Sequence, residues 1–316
     1  MVARLGFVSA GQQNVRAIAI HSRAALDRPL RLPAELWVAV ACDEGLLLGA
    51  FQRSAGLVTE GRPVGRRGSG GPEVIVGQGT VYVGLSLAQP GALVACDEKR
   101  IVNRAVRPLL RALSASLGAG NQAHYFGRDW ISVGNRPAGW VGFAHDATTR
   151  RTLFEAFIAV RAPFATAQRP SFRNRRPGTL ESIGGHPFDP ASLANAIIAA
   201  YATVAESEVL EGREAADDDI APRGAFDTDD PPWTATCEEA IGTLGAGPDA
   251  RGVLRIGGDL LVSRDALSRL ETRAAQSSDD DLGRVVDETL AVPGIALDGI
   301  RSLASVRDVI IRARRG

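Results

Sequence analysis

The residues best suited to chemistry stand in one short run, Gly65-Arg66-Arg67-Gly68-Ser69-Gly70-Gly71-Pro72-Glu73-Val74, which opens into the apolar Val74-Ile75-Val76. Glycines at this density let a backbone turn where a Cβ would clash, so that successive N–H groups can converge on one point. Two guanidinium groups beside them offer planar, bidentate donors to a phosphate or a carboxylate. The same string also suits an arginine- and glycine-rich surface hairpin loop, so the rest of the chain must decide between an anion cradle and a turn.

The remaining inventory is sparse. Cys42, Cys96 and Cys237 are far apart and form no Cys-x-x-Cys pair, and His21, His124, His145 and His186 are equally scattered, so no structural metal is expected. An odd, unpaired set of cysteines fits a reducing, cytoplasmic setting. Cys42 and Cys96 read as small buried hydrophobes and His145-Asp146 as an exposed turn. There is neither a Gly-x-Ser-x-Gly nor a Ser/His/Asp arrangement for a hydrolase. Lys99 is the only lysine, so any role that needs an amine falls to it or is absent.

With 316 residues the chain exceeds what one core usually holds, and two packed units are expected. Hydrophobic content of 45% with 23% charged residues excludes a wholly disordered or fibrous chain. A formal net charge of +0 supplies no field to attract nucleic acid, and the composition of the amino-terminal residues and of the apolar runs leads to the expectation of neither a signal-type leader nor a bilayer-crossing segment.

The elements that must position the loop follow from periodicity. A helix is expected from Asn14 to Leu26. Leu36–Ala41 and Leu46–Phe51 flank the turn-forming Cys42-Asp43-Glu44-Gly45 and read as a hairpin. Val74–Val76 and Val81–Leu87 read as strands, and Asp97–Leu117 as a helix in which Pro108 marks a kink or a late start. Strands resume at Trp130–Val133 and Leu153–Val160. Asp189-Pro190 then caps and opens a helix through Tyr201. Acidic residues crowd Glu206–Pro232, the composition of a linker. Beyond it Gly252–Val262 reads as a short hairpin, followed by helices after Ser263, from Asp281 to Leu290 and from Ser302 to Arg312.

This order, with its Arg-Arg-x-Ser-Gly-Gly loop, resembles the lipoate-protein ligases of the biotin/lipoate protein ligase superfamily. Arg66, Arg67, Ser69, Gly70, Gly71, Val74 and Gly79 match the first family motif, with Pro72 where a third glycine is usual. Arg128-Asp129 entering Trp130–Val133, then Gly134 and Gly139, is similar to the second motif. Ile256-Gly257-Gly258-Asp259-Leu260-Leu261 and Leu270-Glu271 look like the family's accessory-domain hairpin and helix. The resemblance implies an α+β fold in which residues 1–208 form a ligase-type catalytic domain with a mixed or antiparallel sheet. An acidic linker over 209–232 and a small α+β accessory domain over 233–316 complete it.

The activity so implied is ATP- and Mg-dependent activation of lipoate or octanoate to an acyl-adenylate, then transfer to a lysine of a lipoyl carrier domain. Arg66 and Arg67 would hold phosphate or carboxylate, Ser69, Gly70 and Gly71 would line the acyl tunnel, and Asp129 would lie near the nucleotide. Arg136 stands where the family carries a catalytic lysine, and a guanidinium is longer and planar where an ammonium is compact. Pro72 and Pro137 each lack a backbone donor, and Glu155-Ala156 replaces a His-Gly pair. These departures leave an alternative, a noncatalytic relative that keeps the fold as an acyl-binding or protein-interaction module.

Overall fold

The computed structural model describes residues 3–55, 59–118, 120–127, 129–165, 169–210 and 230–316. The chain opens with β1 (Arg4–Gln13), α1 (Val15–Ala24), β2 (Ala34–Ala41) and β3 (Gly45–Leu48). Next come β4 (Val64–Arg66), β5 (Val74–Val76), β6 (Val81–Leu87) and α2 (Ile101–Leu117). Strands β7 (Ala123–Tyr125), β8 (Trp130–Val133), β9 (Arg136–His145) and β10 (Thr152–Ile158) precede α3 (Leu180–Gly184), α4 (Pro190–Ala202) and β11 (Glu206–Val209).

Eight of these strands form one mixed sheet in the order β11-β1-β2-β6-β10-β9-β8-β7, parallel at β11-β1-β2 and antiparallel elsewhere. Helices α2 and α4 cover one face around Leu109, Leu113, Leu193 and Ile197. The other face is covered by α1 and by a small sheet, β4-β3-β5, around Trp37, Tyr82, Trp140 and Phe157. All eight residues of β2 are buried, because both faces and both edges of that strand are occupied. That is why it reads as a continuous apolar run and not as an alternation.

Helices begin where the caps place them: Asn14 accepts from the Ala17 N–H, and Asp189 accepts from Ala191 and Ser192 ahead of Pro190. Pro108 lies inside α2, which runs on to Leu117. The expected hairpin across Cys42–Gly45 does not form, since β2 already has β1 and β6 as neighbours and β3 pairs with β4 and β5 instead. Strands β1 and β9 were not foreseen; polar residues along β1 and prolyl and glycyl residues in β9 hide their periodicity.

The last part has its own core, centred on Leu244, Leu267, Leu270, Val286 and Val309. It contains β12 (Ala235–Glu238), β13 (Thr243–Pro248), β14 (Leu254–Gly258), β15 (Leu261–Val262), α5 (Arg264–Gln276), α6 (Leu282–Leu290), β16 (Leu297–Asp298) and α7 (Leu303–Arg315). The expected hairpin within 252–262 is divided between two sheets, β14 pairing with β13 and β15 with β16. Gly258 at φ +106° turns the chain, and Asp259 fixes the turn by accepting the Thr243 N–H at 2.7 Å.

Of the expected acidic linker, residues 211–229 lie outside the described residues. Its leading edge is a strand: β11 pairs parallel with β1 from Arg4↔Glu206 to Phe7↔Val209. Exposed acidic side chains there do not prevent main-chain pairing.

Candidate functional site

The glycine-rich loop joins β4 to β5 and lies against the sheet face that carries Trp140. Arg67 is fully buried. Its Nε donates to Ser69 Oγ at 3.1 Å, Nη1 to the Leu47 carbonyl at 2.9 Å, and Nη2 to the carbonyls of Gly70 and Pro72, both at 2.7 Å. The guanidinium also stacks over Trp140, 4.1 Å from the ring centre. Burial pulls its pKa down to about 10, against the opposing pull of Glu155. It remains a cation at neutral pH, held by neutral oxygens of its own loop.

Beside it runs a buried polar ladder. Tyr82 lies 2.5 Å from Glu155 Oε1, and the Gly68 N–H donates to Ser22 Oγ at 2.7 Å. Burial, then the Glu155 charge, pushes the Tyr82 phenol well above its ordinary range, so it is the donor. His21 stacks on Trp37 with ring centres 4.0 Å apart, and burial followed by the Arg28 charge holds its pKa well below the usual imidazole value. Glu155 Oε2, His21 Nε2 and Trp140 Nε1 are buried without a hydrogen bond among the described residues. A glutamate inside the otherwise apolar run Leu153–Val160 was the signal for this network; nothing in the sequence marked His21 or Tyr82.

The loop's other side meets the carboxy-terminal unit. The Gly71 N–H donates to the Leu260 carbonyl at 2.8 Å, and the Gly258 N–H to the Phe51 carbonyl at 2.7 Å. A Cβ at Gly70 would sit 2.0 Å from that Leu260 oxygen. Gly71, at φ +88°, packs its Cα so closely that a Cβ would lie 2.9 Å from the Trp140 ring. Gln52 reaches across to Asp259 Oδ1 at 2.6 Å and to Glu73 Oε2 at 3.1 Å.

The remaining residues named from sequence are dispersed around this centre. Arg66, also buried, points the other way: it bonds to the Gly49 carbonyl at 3.2 Å, to the Gln52 carbonyl, and to Asp230 at 2.6 Å. Val74 is core, and Gly139 is pinned between strands, where a Cβ would meet the Phe157 carbonyl at 2.9 Å. Asp129 is buried at the entry to β8, its carbonyl accepting from Val141. Gly79 lines a separate cavity of about 290 Å³ with Arg161 and Asp189. Arg136, at the start of β9, donates to the Pro177 carbonyl at 3.0 Å and lies across Gly178, whose Cβ would fall 2.7 Å from its Cζ.

Three smaller expectations are overturned. Cys42 is exposed and Cys96 only half-buried, because both lie in connections outside the sheet. His145 and Asp146 are buried, Asp146 tied to Thr149 and Arg264. Among the described residues no group of three or more His, Cys, Asp or Glu side chains is placed to hold a metal ion, and no helix is long and apolar enough to cross a membrane.

This mixed α+β architecture matches that of solved lipoate protein ligases. The chain is similar to P. falciparum LipL1, solved in complex with lipoate, at a TM-score of 0.67 and 14% identity, covering 98% of this chain and 99% of that one. It is also similar to a bi-partite lipoate protein ligase of Thermoplasma acidophilum (TM-score 0.53, 15% identity, 72% of this chain and 92% of that one). A putative lipoate protein ligase from T. acidophilum with bound lipoic acid gives a TM-score of 0.52 at 14% identity, over 71% of this chain and 93% of that one. No protein-family model matches the sequence, and no curated protein matches it. At these identities the likeness establishes the fold.

Proposed function

We propose that the chain is a lipoate-protein ligase-like protein that binds a short carboxylic acid, lipoate or octanoate, activates it with ATP to an acyl-adenylate and passes it to a lysine of a lipoyl carrier domain. The observation that supports this reading is Arg67: a fully buried cation at the base of a glycine loop, beside a fully buried Ser69. A desolvated guanidinium strengthens any contact to a developing phosphate or carboxylate charge, since little water screens it. For that to happen Arg67 must exchange at least one loop carbonyl for the ligand, and Trp140 must yield the space beside it. Arg136 supplies the second positive charge once it leaves Pro177. Mg would enter on the nucleotide's phosphates.

A second reading, the noncatalytic relative, has its own support. Trp140 fills the place beside Arg67, and Leu260 occupies the Gly71 N–H that an anion would need. One experiment separates the two. Pyrophosphate release is measured with ATP plus lipoate or octanoate while tryptophan emission is followed. The ligase-like reading expects release together with an emission shift as Trp140 moves. Neither response with either acid leaves the noncatalytic reading.

A further inference from the structure

Helix α2 turns one face to solvent, and that face carries a single sign of charge. Arg104, Arg107 and Arg111 stand three and four residues apart, so at about 3.6 residues per turn they fall on one stripe, opposite the buried Val106, Leu109 and Leu113. Arg107 and Arg111 are exposed and Arg104 is half-buried. Arg100, one turn earlier, extends the row to about 16 Å along the helix axis. No acidic residue occurs from Ile101 to Leu117, nor from Pro190 to Ala202 in the neighbouring α4.

Among the described residues Arg104, Arg107 and Arg111 form no ion pair. Arg111 makes one long contact to a neutral group, donating to Thr203 Oγ1 at 3.4 Å, and Arg100 lies 3.9 Å from Asp97. The exposed helices of the carboxy-terminal unit are built differently. On α5 Arg269 pairs with Asp265 one turn away, and on α6 Arg284 pairs with both Asp281 and Glu288. Like charges three and four residues apart on a helix repel, so the α2 stripe is unfavourable for the isolated chain and gains from an anionic neighbour. A formal net charge of +0 hides this local surplus, because the carboxylates that balance it lie elsewhere.

The chemistry of the stripe selects among anionic neighbours. Docking on a membrane surface needs an apolar face to insert, and that of α2 is packed on the sheet. A long polyanion such as nucleic acid meets the whole chain, whose charge sums to +0, whereas a short acidic segment meets the stripe alone. Guanidinium forks take carboxylates two oxygens at a time. The stripe also lies on the sheet face opposite the one that carries Trp140 and the glycine loop, so an occupant leaves that loop open.

We propose that the outer face of α2 docks an acidic protein segment, one that presents a row of carboxylates to Arg104, Arg107 and Arg111. The surface stands apart from acyl activation at the loop and holds or fails independently of it. Fluorescence anisotropy tests it: the full chain is titrated into a labelled helical peptide with glutamates at i, i+3 and i+7, and into its glutamine counterpart as control. Binding of the glutamate peptide alone is expected, weakened about tenfold as salt rises from about 50 to about 300 mM. Arg107→Gln combined with Arg111→Gln should weaken it about tenfold, the loss of two exposed ion pairs. Arg107→Glu should abolish it, and neither variant should lower the melting temperature, because both side chains are exposed. Arg284→Gln, on α6, should leave the affinity unchanged.

No binding of the glutamate peptide at low salt overturns the proposal, as does binding that the α2 variants leave intact. Tighter α2-dependent binding of a duplex oligonucleotide or of phosphatidylserine vesicles also overturns it, and gives the stripe to nucleic acid or to a membrane. So does self-association of the wild type in sedimentation that Arg107→Glu abolishes, since the occupant is then a second copy of this chain.

Discussion

Asp259 stands where the glycine loop's unit meets the carboxy-terminal one. Its Oδ2 accepts the Thr243 N–H at 2.7 Å and its Oδ1 accepts Gln52 Nε2 at 2.6 Å. Burial pushes its pKa up from 3.8 to about 6, the Thr243 N–H opposing and the Glu73 charge adding to the rise. That difference corresponds to about 3 kcal/mol between the protonated and charged forms. Because the folded value lies above the unfolded one, the native state binds the proton more tightly. The stability so contributed is complete below pH 3.8 and is lost as pH rises through 6. Asp259→Asn removes the charge while keeping one acceptor, so one hydrogen bond worth about 1 kcal/mol is disturbed. Urea unfolding at steps from pH 4 to pH 7.5 should therefore show the variant less stable than wild type at the acid end and more stable at the neutral end. The difference between them is expected to change by about 3 kcal/mol across the range. A difference that stays constant with pH would refute the assignment of a raised Asp259 pKa at this interface.

Three further perturbations follow from the same contacts. Arg67→Ala removes four hydrogen bonds and leaves the Leu47, Gly70 and Pro72 carbonyls without that donor, a loss of about 3–5 kcal/mol measurable by urea unfolding. Tyr82→Phe strips Glu155 Oε1 of its donor inside the core and should cost about 1–3 kcal/mol at pH 7, with much of that recovered in the double variant that also carries Glu155→Gln. Gly70→Ala places a methyl where the Leu260 carbonyl stands, and overpacking of this kind costs about 1–3 kcal/mol. Amide exchange should then speed up at Gly71 and leave Val81–Leu87 unchanged, whereas uniform acceleration would place the damage in the sheet and not at the interface.

The fold was legible through a family resemblance carried by the order of elements and by the run Arg66–Gly71, whose glycines the tight approach of the loop to β3 and Leu260 requires. What each arginine touches was not legible, since the partners are carbonyls 3 to 20 residues away for Arg67 and Asp230, 164 residues away, for Arg66. Helices α1 and α4 were readable from their caps and apolar stripes, and α2, α5, α6 and α7 from their apolar patterns, whereas the short α3 was not. Strand pairing was not, because Leu36–Ala41 and Leu46–Phe51 satisfy the local pattern of a hairpin, and the competing partners β1, β4 and β6 are distant in sequence. Burial of His145-Asp146 escaped for a related reason: two polar residues at a strand end look exposed until Arg264 of the other unit arrives to pair with Asp146.

Three N–H groups of the loop are already engaged, and this bears on how any ligand could enter. The N–H of Arg67 goes to Leu48, that of Gly68 to Ser22, and that of Gly71 to Leu260. Two of these three bonds are internal to the first unit, and one crosses to the second. Of these three donors only Gly71 has its acceptor in the carboxy-terminal unit, so an oxyanion that takes this N–H displaces Leu260 and not a strand of the large sheet. The same displacement relieves the close packing of Gly70 on the Leu260 carbonyl. A ligand for the loop and separation of the two units should be thermodynamically linked: whatever binds Gly71 weakens the interface, and whatever strengthens the interface weakens that ligand by the same factor. Asp259 supplies the handle to test it, because lowering the pH from 7 toward 5 protonates it and favours the closed arrangement. Affinity for a carboxylic acid that contacts the loop should fall over that interval in the wild type and hold steady in Asp259→Asn, once the acid's own titration is accounted for.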